Sequence, residues 1–292
     1  MTIPFITKLT GLSPGPIVTV LGATHGDEPG GALLVEQLLH DLSDQQFSGI
    51  LYTGIGNPIA YKQGTRSADV PGLTNLNRVF TQTYLDQPSP HLLDVQRAQE
   101  LAPLLRTTDY LIDLHATSHP SEPFICFGKD PLHHLPLYKH TRVHSILTDP
   151  NHFMGSELGT TDAYVDRHSG IGICYETGQW SNQEQCRFAY EDLLNMLRGI
   201  GFLSGNATPY KQTQIVYCIT HQGRSKTDVF TFNAAVLDNW SPVKQGQVIG
   251  VHGDGSPEVS PVQGAIIFQS RSEHVRAGQT IYSLVSTTGN AI

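Results

Sequence analysis

The chain has little of what would mark several functional classes. Its four cysteines, Cys126, Cys174, Cys186 and Cys218, are widely spaced with no Cys-x-x-Cys pair. That excludes a thiolate zinc knuckle and a dense disulfide framework, and buried free thiols are the expected state. There is no surplus of positive charge: 18 Lys and Arg stand against 26 Asp and Glu, a formal net charge of −8. General nucleic-acid binding and adsorption to anionic membranes both need a basic surface, so neither is expected. No apolar run approaches the roughly 18 to 20 residues of a membrane span, and Met1 to Leu12 lacks the charged, apolar and small-residue regions of a signal peptide. Internal repeats and low-complexity tracts are also missing. The expectation is a soluble, cytoplasmic protein, long enough at 292 residues and 39% hydrophobic to bury a large core in one domain or two.

What is present is organised around Gly22 to Gly31, which follows the apolar run Ile17 to Leu21 and precedes leucines at helical spacing from Leu33 to Leu39. The run is β-branched and bounded by Pro16 and Gly22, as a buried strand should be, and Pro29 suits the first turn of a helix. The turn between strand and helix holds His25 and Glu28, three residues apart, so that imidazole and carboxylate can aim at one point as metal ligands. His-x-x-Glu also arises without metal, from a surface histidine and a glutamate serving a helix start. A third ligand would decide between these readings. His115 ends the strand-like run Asp109 to His115, and two histidines and one glutamate at strand ends form a catalytic-type zinc set with an open fourth position. Asp113, two residues earlier, shares a strand face with His115 and could orient its imidazole; a solvated strand-end aspartate is the competing reading.

Further along, Ser48 to Gly56 reads as a second strand, so that strand, helix and strand form a β-α-β unit. Such units imply a mostly parallel sheet with helices on both faces and ligands at the carboxyl ends of the strands. Tyr61 to Tyr84 loses periodicity, and a long irregular loop in a compact domain is usually functional or disordered. Arg66, Asn77 and Arg78 in it are forked or planar donors suited to a carboxylate or an oxyanion, or else surface groups that keep a loop soluble. Pro90 to Arg106 reads as a helix, Phe124 to Phe127 as a strand, and Asn182 to Ile200 as a helix. His133, His134, His140, His144 and His152 crowd a stretch to Met154 that shows no clear pattern and lacks carboxylates at matching spacing for a second metal. Gly170 to Gly178 is a buried strand ending in Glu176, where a carboxylate is costly unless something uses it; capping the next helix is the plainer use.

Four blocks in order, His25-Gly26-Asp27-Glu28, Asn75-Leu76-Asn77-Arg78-Val79-Phe80, Asp113-Leu114-His115 and Tyr175-Glu176-Thr177-Gly178, together resemble the succinylglutamate desuccinylase and aspartoacylase family of zinc carboxypeptidase-like amidohydrolases. The resemblance covers about the first two thirds of the chain. It implies one Zn²⁺ per chain held by His25, Glu28 and His115, with Glu176 as general base and Arg66 polarising the scissile carbonyl. By the same resemblance Asn77 and Arg78 would grip the α-carboxylate of an N-acyl amino acid, and Tyr164 and Arg167 an acidic side chain. Where the family usually has Asp, this chain has Asn75.

After the Gly-, Ser- and Asn-rich stretch from Gly199 to Thr208, short strands separated by turn signals replace helices. Val243 to Gly250 and Val275 to Tyr282 are similar to each other and to hairpins of biotinyl or lipoyl carrier domains, without a recognisable carrier lysine. The expected fold is therefore α/β, a zinc-carboxypeptidase-like mixed but mostly parallel sheet in residues 1–205, followed by a small all-β, barrel-like domain in 206–292. The expected function is zinc-dependent removal of an N-acyl group from an amino acid, an acidic one by resemblance. A zinc carboxypeptidase for short peptides and a catalytically inactive zinc-binding module are the alternatives. The partner is then a small-molecule N-acyl amino acid, with no nucleic acid or membrane, and a homo-oligomer is left open.

Overall fold

The strand expected at Ile17 to Leu21 is the inner half of a longer one, and a continuous sheet is built outward from it. The computed structural model describes residues 2–43, 46–70, 72–128, 130–153, 159–179, 181–208, 210 and 213–291. In chain order the strands are β1 (Ile6–Thr10), β2 (Ser13–Gly22), β3 (Ser48–Ile55), β4 (Tyr110–Thr117), β5 (Phe124–Cys126), β6 (Ser145–Thr148) and β7 (Ile171–Gln179). The later strands are β8 (Ile215–Arg224), β9 (Phe230–Phe232), β10 (Ser241–Val243), β11 (Val248–His252), β12 (Pro257–Val259), β13 (Gly264–Ile267) and β14 (Thr280–Ala291). The helices are α1 (Pro29–Leu42), α2 (Pro58–Gln63), α3 (Gln82–Leu85), α4 (Leu93–Leu105), α5 (Pro131–Tyr138), α6 (Thr161–Arg167) and α7 (Gln183–Gly199), with a 3-10 turn at Leu76–Arg78.

Eleven of these strands form one sheet in the order β1-β3-β2-β4-β7-β5-β6-β8-β14-β13-β10. Neighbours β3, β2, β4 and β7 run parallel, as the β-α-β reading requires. β5 turns antiparallel to β7 but runs parallel with β6, which is parallel to β8. The two faces of the sheet are covered separately. Val18, Val20, Ile112, Leu114, Ile173 and Tyr175 pack under α1, α5 and α7, while Leu21 and Leu111 pack with Val95, Leu101 and Val165 of α4 and α6. Burial on both faces explains why these strands read as nearly unbroken apolar runs. Along β4 the alternation puts Ile112 and Leu114 on the first face and Leu111, Asp113 and His115 on the second.

The stretch after residue 206 is all β apart from 3-10 turns at Ala234–Val236 and Ser272–His274. It does not form a separate sheet throughout, because β8, β14, β13 and β10 extend the main one, with Ser145 of β6 opposite Ile215 of β8. Only β9, β11 and β12 make a small sheet of their own, over a core that includes Phe230, Val236, Ile249 and Ile281. The two similar hairpin segments share one device: Gly246 and Gly278, each at φ +80°, turn the chain just before β11 and β14. Of the cysteines, Cys174 is buried while Cys126 and Cys218 are half-buried, so the expected burial of all four is too strong a statement. The histidine-rich stretch contributes α5 and β6, and Met154 at its end lies outside the described residues. Among the described residues no helix is long and apolar enough to cross a membrane.

One close approach sets the geometry of the strand, turn and helix. A Cβ on Gly22 would lie 2.3 Å from the carbonyl carbon and oxygen of Gly31, and one on Gly31 would lie 2.6 Å from the Leu114 carbonyl oxygen. The start of α1 therefore rests directly on the backbone of β2 and β4. Gly22→Val should lower stability by about 3 kcal/mol, because backbone, not a flexible side chain, must move. Gly64→Ala, at φ +65° with open space around it, should cost about 1 kcal/mol. Urea denaturation checks both; a Gly22→Val midpoint equal to the wild type would contradict the packing.

Candidate active site

β2, β4 and β7 are adjacent in a register that sets Leu21 beside Asp113, Asp113 beside Cys174, and His115 beside Glu176. Asp113, His115, Cys174 and Glu176 thus share the sheet face opposite Ile112, Leu114, Ile173 and Tyr175. The chain leaving β2 crosses over these strand ends, helped by Ala23 at φ +50° and by Gly26, whose Cβ would lie 2.0 Å from the Ala60 carbonyl carbon. That crossing delivers His25 and Glu28 to the same place.

The Glu28 carboxylate is the meeting point. Its Oε1 is 3.0 Å from His25 Nδ1 and accepts from Arg66 Nη1 at 3.0 Å. Its Oε2 is 3.0 Å from His115 Nδ1 and accepts from the Ala116 N–H at 3.1 Å. The far nitrogens are held as well: His25 Nε2 is 3.1 Å from Asn75 Oδ1, and His115 Nε2 is 3.2 Å from Asp113 Oδ2. Asp113 accepts in turn from the hydroxyls of Thr24 at 2.7 Å and Thr161 at 2.5 Å. An oxygen behind each imidazole fixes its orientation, so both Nδ1 atoms converge on the carboxylate, the arrangement that metal-ligating histidines need. The ligand atoms of His25, Glu28 and His115 all lie within 4.8 Å of one another, and a tetrahedral ion with bonds near 2.1 Å wants them about 3.4 Å apart. Asn75 does for His25 what a carboxylate would do, and its Oδ1 also accepts from the Asn77 N–H at 2.8 Å.

Two of the three ligand groups are held in the form a metal takes, and His115 would have to release a proton to bind one. Burial, and then the Arg66 guanidinium, hold the His25 imidazole down to about 4, so it stays neutral near pH 7. Burial would raise Glu28, but the two imidazoles outweigh it and keep the carboxylate ionised. Burial would likewise lower His115, but Asp113 behind the ring outweighs it and raises the group well above its ordinary value. Glu176 behaves differently: burial pushes its carboxyl up to about 7, with His115 opposing and Glu28 adding to the rise. Among the described residues its Oε2 is buried without a hydrogen-bond partner.

A cavity of about 1200 Å³ opens onto this group. Arg66 and Arg78 line one part of it, and Arg224, Arg271 and Arg276 of the C-terminal segment line another. Of the residues singled out in the sequence, His25, Glu28 and His115 come together, with Arg66 and Glu176 beside them. Asn77 and Arg78 also line the cavity, though the Asn77 Oδ1 is already taken by the Thr161 N–H at 2.9 Å. Arg78 donates to the Asn77 carbonyl at 2.6 Å.

Tyr164 and Arg167 are not among the described residues that line this cavity. Tyr164 is buried against Phe80, ring centroids 5.6 Å apart, and its hydroxyl accepts from Arg106 at 3.2 Å. Arg167 donates to the Phe80 carbonyl at 2.5 Å and lies over the Tyr164 ring. The reason is helical rotation: at about 100° per residue, Tyr164 points almost opposite to Asp162, and Asp162 is the residue of α6 that lines the cavity. Arg224, Arg271, Arg276 and Asp162 were not singled out in the sequence. Only the close pair of arginines in the irregular loop Arg271 to Arg276 could have drawn notice. The His133 and His134 cluster is accounted for by hydrogen bonds, with His134 Nε2 2.9 Å from Asp166 and His133 Nε2 3.0 Å from the Gly170 carbonyl.

Residues 14–200 match the succinylglutamate desuccinylase/aspartoacylase catalytic domain. The chain belongs to that family. Its members are amidohydrolases. An aspartoacylase from Danio rerio is 30% identical over 121 residues, 38% of this chain and 37% of that protein. An N-acyl-aromatic-L-amino acid amidohydrolase (carboxylate-forming) A from the same organism is 34% identical over 115 residues, 35% and 33% of the two chains. The match thus spans about a third of the length of these relatives. The likeness of fold is broader: a succinylglutamate desuccinylase/aspartoacylase structure from Rhodobacter sphaeroides superposes with a TM-score of 0.76 over 98% of this chain and 89% of that one, at 19% identity. A product-bound ectoine utilization protein from Ruegeria pomeroyi gives 0.74 over 97% and 88%, also at 19% identity.

The placement of the two arginines separates them experimentally. Arg78→Ala should lower kcat/KM toward an N-acyl amino acid by about tenfold or more, whereas Arg167→Ala should stay within about twofold. Steady-state kinetics on both variants checks this, and the reverse order would restore Arg167 to the site.

Proposed function

We propose that this family member is a zinc-dependent amidohydrolase that cleaves the N-acyl group from an amino acid bearing a free α-carboxylate. The observation that carries the reading is the convergence of His25, Glu28 and His115 with a buried, unpartnered Glu176 oxygen at the mouth of one cavity. Two imidazole nitrogens and one carboxylate suit zinc, and His25, Glu28 and His115 would hold one ion per chain. When bound, zinc supplies Lewis acidity toward the acyl carbonyl and lowers the pKa of a water toward about 7.

The chain's own residues do the rest. Glu176 takes the proton of the attacking water and passes it to the amine nitrogen as the C–N bond breaks, so that amide and water become carboxylate and amine. A carboxyl held near 7 suits both halves of that transfer. Arg66 keeps one N–H on Glu28 and has others to offer the oxyanion of the tetrahedral intermediate, where a single donor is typically worth about 3 to 4 kcal/mol. Arg78 pairs with the α-carboxylate, and Arg224, Arg271 and Arg276 make the cavity attractive to anions despite the overall charge of −8. The reading stops at the α-carboxylate and assigns no residue to the side chain. Turnover of N-acetyl and N-succinyl amino acids by zinc-loaded protein tests the proposal, with unacylated di- and tripeptides alongside. Hydrolysis of the peptides alone would mean a carboxypeptidase instead.

Purified protein should hold about one zinc per chain, and His115→Ala should lose metal and activity together. Stoichiometric zinc in that variant by elemental analysis would remove His115 from the ligand set.

Glu176→Gln separates proton transfer from metal binding. The variant should fold, keep its zinc and lose about 10² to 10⁴ in kcat, since the amide can hydrogen-bond but cannot accept a proton. Because the base must be ionised, wild-type kcat/KM should climb as pH rises toward about 7 and level off above it. That limb should vanish in the variant. Near-normal kcat in zinc-loaded Glu176→Gln would sink the mechanism.

A further inference from the structure

The cavity wall includes a carboxyl group that the reaction above does not use. Asp162 sits in the first turn of α6, where an acidic side chain ordinarily faces solvent and serves the helix dipole. Here it is only 4% exposed and lines the cavity. Its position is fixed by backbone contact, since a Cβ on Gly172 of β7 would lie 2.6 Å from the Asp162 Cα and carbonyl oxygen. The same strand carries Cys174 and Glu176, so Asp162 is held at a set place relative to the base.

The groups that hydrogen-bond to the carboxyl are neutral. The Cys174 thiol donates to Oδ1 at 3.4 Å and the Thr160 hydroxyl also bonds to it. Among the described residues no Lys, Arg or His nitrogen pairs with it. His134 on α5 is engaged with Asp166, 2.9 Å away, and Asp166 itself adds a like charge from α6. Arg78, which also lines the cavity, is close enough to feel Asp162 and donates to the Asn77 carbonyl. Burial pushes the Asp162 carboxyl above its ordinary value, with Asp166 adding to the rise and His134 opposing it, so a further cation arriving from the cavity meets a group that ionises more readily beside it.

We infer that Asp162 makes this part of the cavity a subsite for a cationic side chain, so that the favoured amino acid carries an amine. The inference rests on the hydrolase reading for the kind of molecule bound, and on the cavity alone for the charge it selects. An N-acylated diamino acid has no charge on its acylated nitrogen, a negative α-carboxylate and a positive side chain. Arg78 and Asp162 offer the complementary pair on the walls of one chamber. The subsite is also within a side chain's reach of the reacting groups: Asp162 touches Cys174, and the sulfur of Cys174 lies within 4.8 Å of a ring nitrogen of His115.

The test compares Nα-acetyl-ornithine with Nα-acetyl-norvaline, which has the same carbon chain without the amine, and with N-acetyl-glutamate, all at pH 8. Wild-type kcat/KM should be higher for the ornithine derivative than for either of the others by about tenfold or more. In Asp162→Asn the ornithine-to-norvaline ratio should collapse toward one. A wild type that favours the glutamate derivative, or a variant that keeps the ornithine preference, overturns the subsite; if the variant does not fold, the wild-type ranking decides. Calorimetric binding of free ornithine and norvaline gives a readout independent of turnover. Tighter binding of ornithine by wild type, with no N-acyl amino acid hydrolysed, would leave the subsite standing and the hydrolase reading fallen. Equal binding of the two overturns the subsite whatever the turnover.

Discussion

The shared carboxylate of Glu28 is the contact on which the site depends. It gathers four donors from three parts of the chain: His25 in the turn after β2, Arg66 in the irregular loop, and His115 with the backbone N–H of Ala116 at the end of β4. Each imidazole is anchored from behind, and the anchor on His115 is itself anchored, since Asp113 is gripped by Thr24 and Thr161. The network therefore runs from the start of one helix, through two strand ends, to the start of another. In a buried setting such a chain of bonds is strong when complete and expensive when one member is lost, so its members constrain one another.

The same network explains how one strand can serve both an apolar core and a polar centre. β4 buries Ile112 and Leu114 on one side and Asp113 and His115 on the other, and every polar atom of the latter pair has a partner. Glu176, beside His115 in the sheet register, differs from that pair in having an oxygen buried without a partner. An unsatisfied carboxylate next to a satisfied network is where chemistry rather than packing sets the residue.

Much of this was legible in the sequence, because it is carried by local patterns. β-branched apolar runs announced β2, β3, β4 and β7, and the polar residues that broke those runs were the ones at strand ends, His25, His115 and Glu176. What could not be read is what depends on rotation or on distant pairing. β1 is a half-exposed edge strand and β6 has four residues, so neither has a periodic signature. The side chain of α6 that reaches the cavity is a matter of two residues in a seven-residue helix: Tyr164 and Arg167 were named through the family resemblance, and Asp162 was not. Arg224, Arg271 and Arg276 join the site only through the order of strands in the sheet, and nothing in their local sequence states that order.

The pairing of β6 with β8 has a mechanical meaning. Because the backbone ladder runs unbroken from the strands that end in His25, His115 and Glu176 to those that flank Arg224 and Arg271, the two walls of the cleft belong to one body. A hinge between them would have to tear hydrogen-bonded strands apart. The cleft is thus a preformed aperture that needs no jaw movement, a bound molecule meets arginines and carboxylates already in place, and little ordering entropy is lost on its arrival.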